Sequence, residues 1–166
     1  SHPEQFRVVA VAEPRDYYRE EMARLHGLAP ARVFHDWRQV LDLPRLAQAV
    51  ILATPDQEHV EPALALMQRG YDVLLEKPMD TTLAGCQRLV QVSRQEHTLL
   101  VVAHVLRYTP YFRKLKQLAA SGLVGQLATV RHLEPVLYWH QAHSFVRGNW
   151  RSNQGDRKST RLNSSH

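Results

Sequence analysis

Short apolar runs alternate with amphipathic stretches over the first two thirds of the chain. Residues 7–13 (Arg-Val-Val-Ala-Val-Ala-Glu) read as a strand that stops on a carboxylate before Pro14. A run without polar alternation suits a strand covered on both faces. Tyr18, Met22 and Leu25 then recur at i, i+4 and i+7, which predicts a helix from Tyr17 to Leu28 with Gly27 as its terminator. A brief strand at Arg32–Phe34 and a short helix around Trp37–Leu41 follow. Ala49–Pro55 is a second buried-strand run. Asp56 is placed to cap a helix from Glu58 to Arg69, with Val60, Leu64 and Met67 facing inward and Gly70 closing it. A strand at 71–78 leads to a helix that opens at Thr81 or Thr82 and runs to Gln95, with Leu83, Leu89, Val90 and Val92 as its apolar members. Thr98–Val105 reads as a strand and Tyr111–Ser121 as a helix (Phe112, Leu115, Leu118, Ala119). Gln126–Trp139 reads as a long strand with partial alternation.

Strands and helices alternate from residue 7 to residue 121 with no two-residue hairpin turn between strands. That order predicts right-handed crossovers and an α/β fold with a doubly wound parallel sheet of the Rossmann type. The chain has seven glycines, and no two of them form a G-x-G. The phosphate-binding turn of such a sheet would lie one strand and one helix before Arg7. The first strand and glycine loop are therefore expected to be missing, and the piece as it stands is expected to be inactive. Residues 1–125 are expected to form a partial nucleotide-binding domain, and 126–150 the start of a second α/β domain. Residues 151–166 are expected to be a non-native tail without fixed structure.

Charge changes this picture little. The net +5 over 166 residues suggests an anionic partner, but Arg151, Arg157, Lys158 and Arg161 against Asp156 put +3 of it in the last sixteen residues. The nearly balanced remainder argues against a nucleic-acid surface. No run approaches the roughly 20 apolar residues of a membrane span, and no signal peptide is visible. Cys86 is the single cysteine, so an intramolecular disulfide is excluded; this fits a reducing cytoplasm and a buried or half-buried helix position.

Candidate chemistry gathers at the ends of the strands. Val73, Leu74 and Leu75 stop abruptly at Glu76, Lys77 and Pro78. Proline cannot donate to a ladder and biases Lys77 towards extended geometry, so Glu76 and Lys77 belong at a strand exit. Ligands of open parallel sheets bind at the carboxyl ends of strands. Glu13-Pro14 and Ala53-Thr54-Pro55 close two other strands in the same manner. Glu13 stands where a dinucleotide fold keeps the carboxylate for the adenosine ribose, and Arg15 is placed to meet a 2′-phosphate instead, so NAD and NADP both remain open. Each exit taken alone is equally compatible with a solvated strand end.

The order Ala53-Thr54-Pro55, His59, Gly70, Glu76-Lys77-Pro78, Arg107-Tyr108, Pro110 and Gly122-x-x-Gly125 resembles the Gfo/Idh/MocA oxidoreductases over roughly residues 5–150. The resemblance implies hydride transfer between NAD(P) and a hydroxyl carbon of a sugar, inositol or related polyol, by a homo-oligomer when intact. It implies that Glu13 holds the adenosine ribose. Thr54, Pro55 and His59 would line the dinucleotide cleft, and Glu76, Lys77 and Pro78 would frame the nicotinamide end. Arg107 would lie near the nicotinamide ribose or the substrate. Lys77 would be the catalytic residue, since an ammonium beside a cationic ring gives up its proton more readily and can orient or take the alcohol proton. Val105 stands where many members carry asparagine, and the family's helix with its catalytic aspartate and histidine would fall beyond Arg151.

Other readings carry less. His132, His140 and His143 have no carboxylate at ligand spacing and read as polar surface in place of a metal site. Arg147, Trp150 and Arg151 read equally as substrate contacts or as packing. No Gly-x-Ser-x-Gly supports a hydrolytic nucleophile. The alternative of a different class is a non-catalytic nucleotide-binding regulatory or scaffold protein on the same core.

Overall fold

The structure, a computed structural model, describes residues 4–133, 135 and 137–141. Its elements in chain order are β1 (Val11–Ala12), α1 (Asp16–His26), β2 (Val33–Phe34), α2 (Arg38–Leu41), β3 (Ala49–Leu52), α3 (Val60–Gln68), β4 (Asp72–Leu75), α4 (Leu83–Gln95), β5 (Leu100–Val102), α5 (Pro110–Ala120) and α6 (Tyr138–Gln141). Single 3-10 turns lie at Pro30–Arg32, Asp56–Glu58 and Val105–Tyr108. The strands form two pieces of sheet. β1 pairs with β2 in parallel, and β4 lies between β3 and β5 with β3 and β4 parallel. This is the expected parallel α/β order, with each crossover made through a helix.

The core is built on one face of the β3–β4 pair. Val50 stands opposite Val73 and Leu52 opposite Leu75, on the side that meets α3 and α4. Leu75, Met67 and Leu89 have no exposed surface, and Val60, Ala63, Leu64 and Leu66 complete the cluster. The inward stripe expected for α3, Val60, Leu64 and Met67, is the one observed. Tyr71 is wholly covered and accepts a 2.9 Å hydrogen bond at its hydroxyl from the Leu46 amide, so the base of β4 is anchored before the strand begins. Gly70, at φ +78°, makes the turn that returns the chain from α3 to β4, a conformation open to glycine at little cost.

Several expectations are corrected. The strands read as covered on both faces are open on one: Ile51 and Leu74 stand opposite each other, 73% and 37% exposed, on the face away from α3 and α4. An uninterrupted apolar run states that both faces are apolar; what covers each face depends on the neighbouring elements. On α1 the buried side chain is Arg19, while Tyr18 and Leu25 are exposed. Asp56 gives α3 no side-chain cap; it is buried within the 3-10 turn that precedes the helix. Between residues 126 and 133 no strand forms, and Tyr138–Gln141 is a turn of helix. A strand needs a partner edge, and partial alternation does not supply one.

By contact density the chain divides into units of residues 1–101 and 102–166. Within the second, α5 starts on Pro110, whose missing N–H costs nothing in the first helical turn. Cys86 is half-buried on α4. Among the described residues no helix is long and apolar enough to cross a membrane.

The start of α4 is tightly fitted. Thr82 Oγ1 accepts from the Gly85 amide at 3.0 Å, and the Asp80 carboxylate accepts from the Thr82 amide at 3.1 Å and its hydroxyl at 2.6 Å. A β-carbon on Gly85 would lie 1.9 Å from Asp80 Oδ2 and 3.0 Å from Val60 Cγ2. Because that carboxylate is held by two bonds, it cannot yield without losing them. Gly85→Ala is expected to destabilise the fold by about 1–3 kcal/mol, read as a lowered midpoint in urea unfolding. An unchanged midpoint would show that Asp80 moves freely.

Candidate active site

The exit of β4 continues the ladder beyond the apolar run. The Glu76 amide donates to the Leu52 carbonyl at 2.9 Å, so the residue after Leu75 is still tied to β3. Glu76 then turns back, and its carboxylate accepts from the Lys77 amide at 3.1 Å. The Lys77–Pro78 peptide is cis. Lys77 is exposed, whereas Pro78, Met79 and Asp80 are half-buried. The chain leaves the core, presents one ammonium, and turns back under cover.

The exit of β3 lies beside it. Thr54 Oγ1 donates to the Glu58 carbonyl at 3.1 Å and the Glu58 amide to the Pro55 carbonyl at 2.8 Å, folding residues 54–58 into a closed turn. His59 follows and has no exposed surface. Its Nδ1 lies 2.8 Å from the Pro78 carbonyl and its Nε2 2.9 Å from the Thr54 carbonyl. The ring thus stands between the two exits. Beside it, burial works to raise the Asp80 carboxyl. The Thr82 hydroxyl, the Thr81 and Thr82 amides and the charge of His59 outweigh that and hold it below the usual carboxylate range.

Thr54, Pro55, His59, Glu76, Lys77 and Pro78 are therefore brought together. Expected to line a cleft, His59 instead offers a ligand no surface of its own; it reaches the rim through the two carbonyls it holds. Sequence reasoning had no sign of this, because a histidine that follows the turn after a strand carries no mark of burial.

Glu13 belongs to the other piece of sheet, at the exit of β1, where its amide donates to the Phe34 carbonyl at 3.0 Å. Both carboxylate oxygens are engaged by Arg15, through Nε at 2.7 Å and Nη2 at 2.9 Å, with the Arg15 amide adding a third bond at 2.9 Å. The Arg15 guanidinium also lies over the Tyr18 ring, 4.3 Å from its centroid. Arg19, unremarked in the sequence, is buried. It donates to the Glu13 carbonyl at 2.9 Å and the Pro14 carbonyl at 3.2 Å, and pairs with Asp16. The backbone of this exit is thereby fixed from below, with the Glu13 carboxylate half-buried against an exposed Arg15 guanidinium.

Arg107 lies in the second unit, on the 3-10 turn ahead of α5. With Phe112, Arg113 and Lys116 it lines an open pocket of about 570 Å³. Among the described residues no group of three histidine, cysteine or acidic side chains is placed to hold a metal. His143, Arg147, Trp150 and Arg151, and the side chain of His140, lie outside the described residues, as does the expected tail.

Hydrogen bonding to Arg15 holds the Glu13 carboxyl below its ordinary range. The unfolded chain thus takes up the proton first as pH falls. The contribution of this pair is complete above the unfolded carboxylate range and is lost as pH drops through the lowered folded value. A carboxyl titration followed by NMR is expected to place the Glu13 midpoint below that of a short peptide. Arg15→Ala is expected to bring it back up, and equal midpoints in the two proteins would remove the pairing from the account.

Comparison with known proteins supplies the context for these exits. Residues 1–104 match the Gfo/Idh/MocA family model, described as an oxidoreductase family with an NAD-binding Rossmann fold. Inositol 2-dehydrogenase of Streptomyces avermitilis is 37% identical over 121 residues, 72% of this chain and 34% of that enzyme. The NADP(+)-dependent D-xylose 1-dehydrogenase of Hypocrea jecorina is 28% identical over 120 residues, 71% of this chain and 30% of that enzyme. Among solved structures, the WlbA dehydrogenase of Bordetella pertussis in complex with NADH and UDP-GlcNAcA shares the fold. Its TM-score is 0.68 at 24% identity, over 75% of this chain and 35% of that one. The chain thus spans about a third of the length of the relatives it matches.

Proposed function

This chain belongs to the Gfo/Idh/MocA oxidoreductases, and from that premise we propose that it serves hydride transfer between NAD(P) and a hydroxyl carbon of a sugar, inositol or related polyol. The observation that carries the proposal is the β4 exit: an exposed Lys77 on a backbone fixed on both sides, against the closed 54–58 turn. The polyol class follows the relatives, which are named as dehydrogenases of inositol and xylose.

The residues present suit a dinucleotide at two points. A carboxylate and a guanidinium paired at the β1 exit suit a ribose diol or its phosphorylated form once a ligand competes for that pair. The turn at Glu76–Pro78 offers backbone and an ammonium to the nicotinamide end. NAD(P)⁺, when bound, supplies the hydride acceptor. Lys77 would hold the substrate hydroxyl and take or orient its proton, a role that typically contributes 10²–10⁴-fold. Glu76, folded back on the Lys77 amide, orders the lysine's own backbone. Thr54 and Pro55 form the facing wall, and Arg107 is assigned to the nicotinamide ribose or the substrate.

Lys77→Ala is expected to lower turnover by roughly 10²–10⁴-fold while NADH affinity, followed by fluorescence titration, stays within about twofold of the parent. A variant that turns over as before would take the chemical task from Lys77, and an intact protein that binds NADH but turns over no polyol would favour the non-catalytic binding module.

Cofactor choice is assigned to the Glu13–Arg15 pair. Loss of one charge-assisted hydrogen bond, about 1.5 kcal/mol, corresponds to roughly tenfold in affinity. Arg15→Ala is expected to weaken NADPH by about that factor and NADH much less, with Glu13→Ala showing the reverse. Dissociation constants for both cofactors, measured on both variants, check this; parallel losses would place the discrimination elsewhere.

A further inference from the structure

Resting on that reading, we propose that His59 is the positioning residue for Lys77, acting through the Pro78 carbonyl rather than by touching cofactor or substrate. Lys77 is bracketed by two fixed points. On one side the Glu76 amide is bonded to Leu52 of β3. On the other, the Pro78 carbonyl is met by His59 Nδ1 at 2.8 Å. A carbonyl oxygen only accepts, so the contact to Pro78 is a hydrogen bond in the tautomer that carries its proton on Nδ1, and it is that tautomer the proposal assigns. Remove the ring and the second fixed point goes: the lysine keeps its exposure but its backbone gains freedom. A catalytic side chain as long as lysine depends on a rigid base, since a misplacement near 1 Å can cost on the order of a hundredfold in rate.

The two ring nitrogens have different tasks, and this separates positioning from simple structural support. Nε2 meets Thr54, which leads only to the turn after β3, whereas Nδ1 meets the residue next to Lys77. An asparagine amide nitrogen falls near the place of Nδ1 and a glutamine amide nitrogen near that of Nε2. His59→Asn therefore keeps the link to Pro78 and gives up the link to Thr54, and His59→Gln does the opposite. His59→Phe fills the space with a ring that has no donor.

The test compares these three variants in the full chain, by steady-state kinetics, cofactor titration and hydrogen exchange of the amides around residues 76–82. We expect His59→Asn to stay within a fewfold of the parent in kcat, and His59→Gln and His59→Phe to fall by roughly ten- to a hundredfold. NADH affinity should hold within about twofold in all three. Exchange at 76–82 should rise in the Gln and Phe variants and not in the Asn variant. Asn and Gln variants that behave alike in kcat and exchange, or losses that follow only the folded fraction, would overturn the positioning role. Should this chain by itself turn over no polyol, as expected of a piece without the glycine loop, the exchange pattern alone decides the part played by His59, and equal exchange at 76–82 in the Asn and Gln variants would overturn it.

Discussion

Parallel pairing of β3 with β4 is the constraint on which the rest of the molecule depends. Its register puts Val50 against Val73 and Leu52 against Leu75 on one face, where α3 and α4 cover them. A slip of one residue would carry that face to solvent and bring Ile51 and Leu74 inward. It would also displace the Glu76–Leu52 hydrogen bond that continues the ladder past the apolar run. Core and site thus share a register. Burying about half a dozen aliphatic side chains fixes where the first polar residue after β4 emerges.

From there the site is built by backbone groups more than by side chains. The carbonyls of Thr54 and Pro78 are left over by a turn and by a proline, neither of which supplies a ladder partner. Left unpaired and buried, such groups are costly, and the His59 ring lies within hydrogen-bond distance of both. The β1 exit solves a similar problem with Arg19, whose buried guanidinium meets the Glu13 and Pro14 carbonyls. In each case a donor below the surface fixes the backbone that carries the charged residues, Lys77 in one place and Glu13 with Arg15 in the other. Asp80 joins the two levels, since its carboxylate caps the turn into α4 and lies within the field of His59.

Where the sequence was read well, the signal was local. Val60, Leu64 and Met67 recur at helical spacing, and α3 buries them. The carboxylate, ammonium and proline after Leu75 mark a strand exit, because proline ends a ladder wherever it stands. Where it was misread, the missing information was non-local. Ile51 sits in an apolar run indistinguishable from a fully covered strand, and its exposure depends on which elements lie across the sheet. Gln126–Trp139 alternates in part, yet no edge meets it at residues 126–133.

The alternation of elements, the Rossmann class and the places where the strands end were set by residue order alone, since periodicity and proline act over a few positions. Tertiary structure decided who answers whom. His59 reaches a carbonyl 19 residues away. The His59 contact follows from how β3 and β4 emerge side by side from a shared core, and spacing along the chain does not record that.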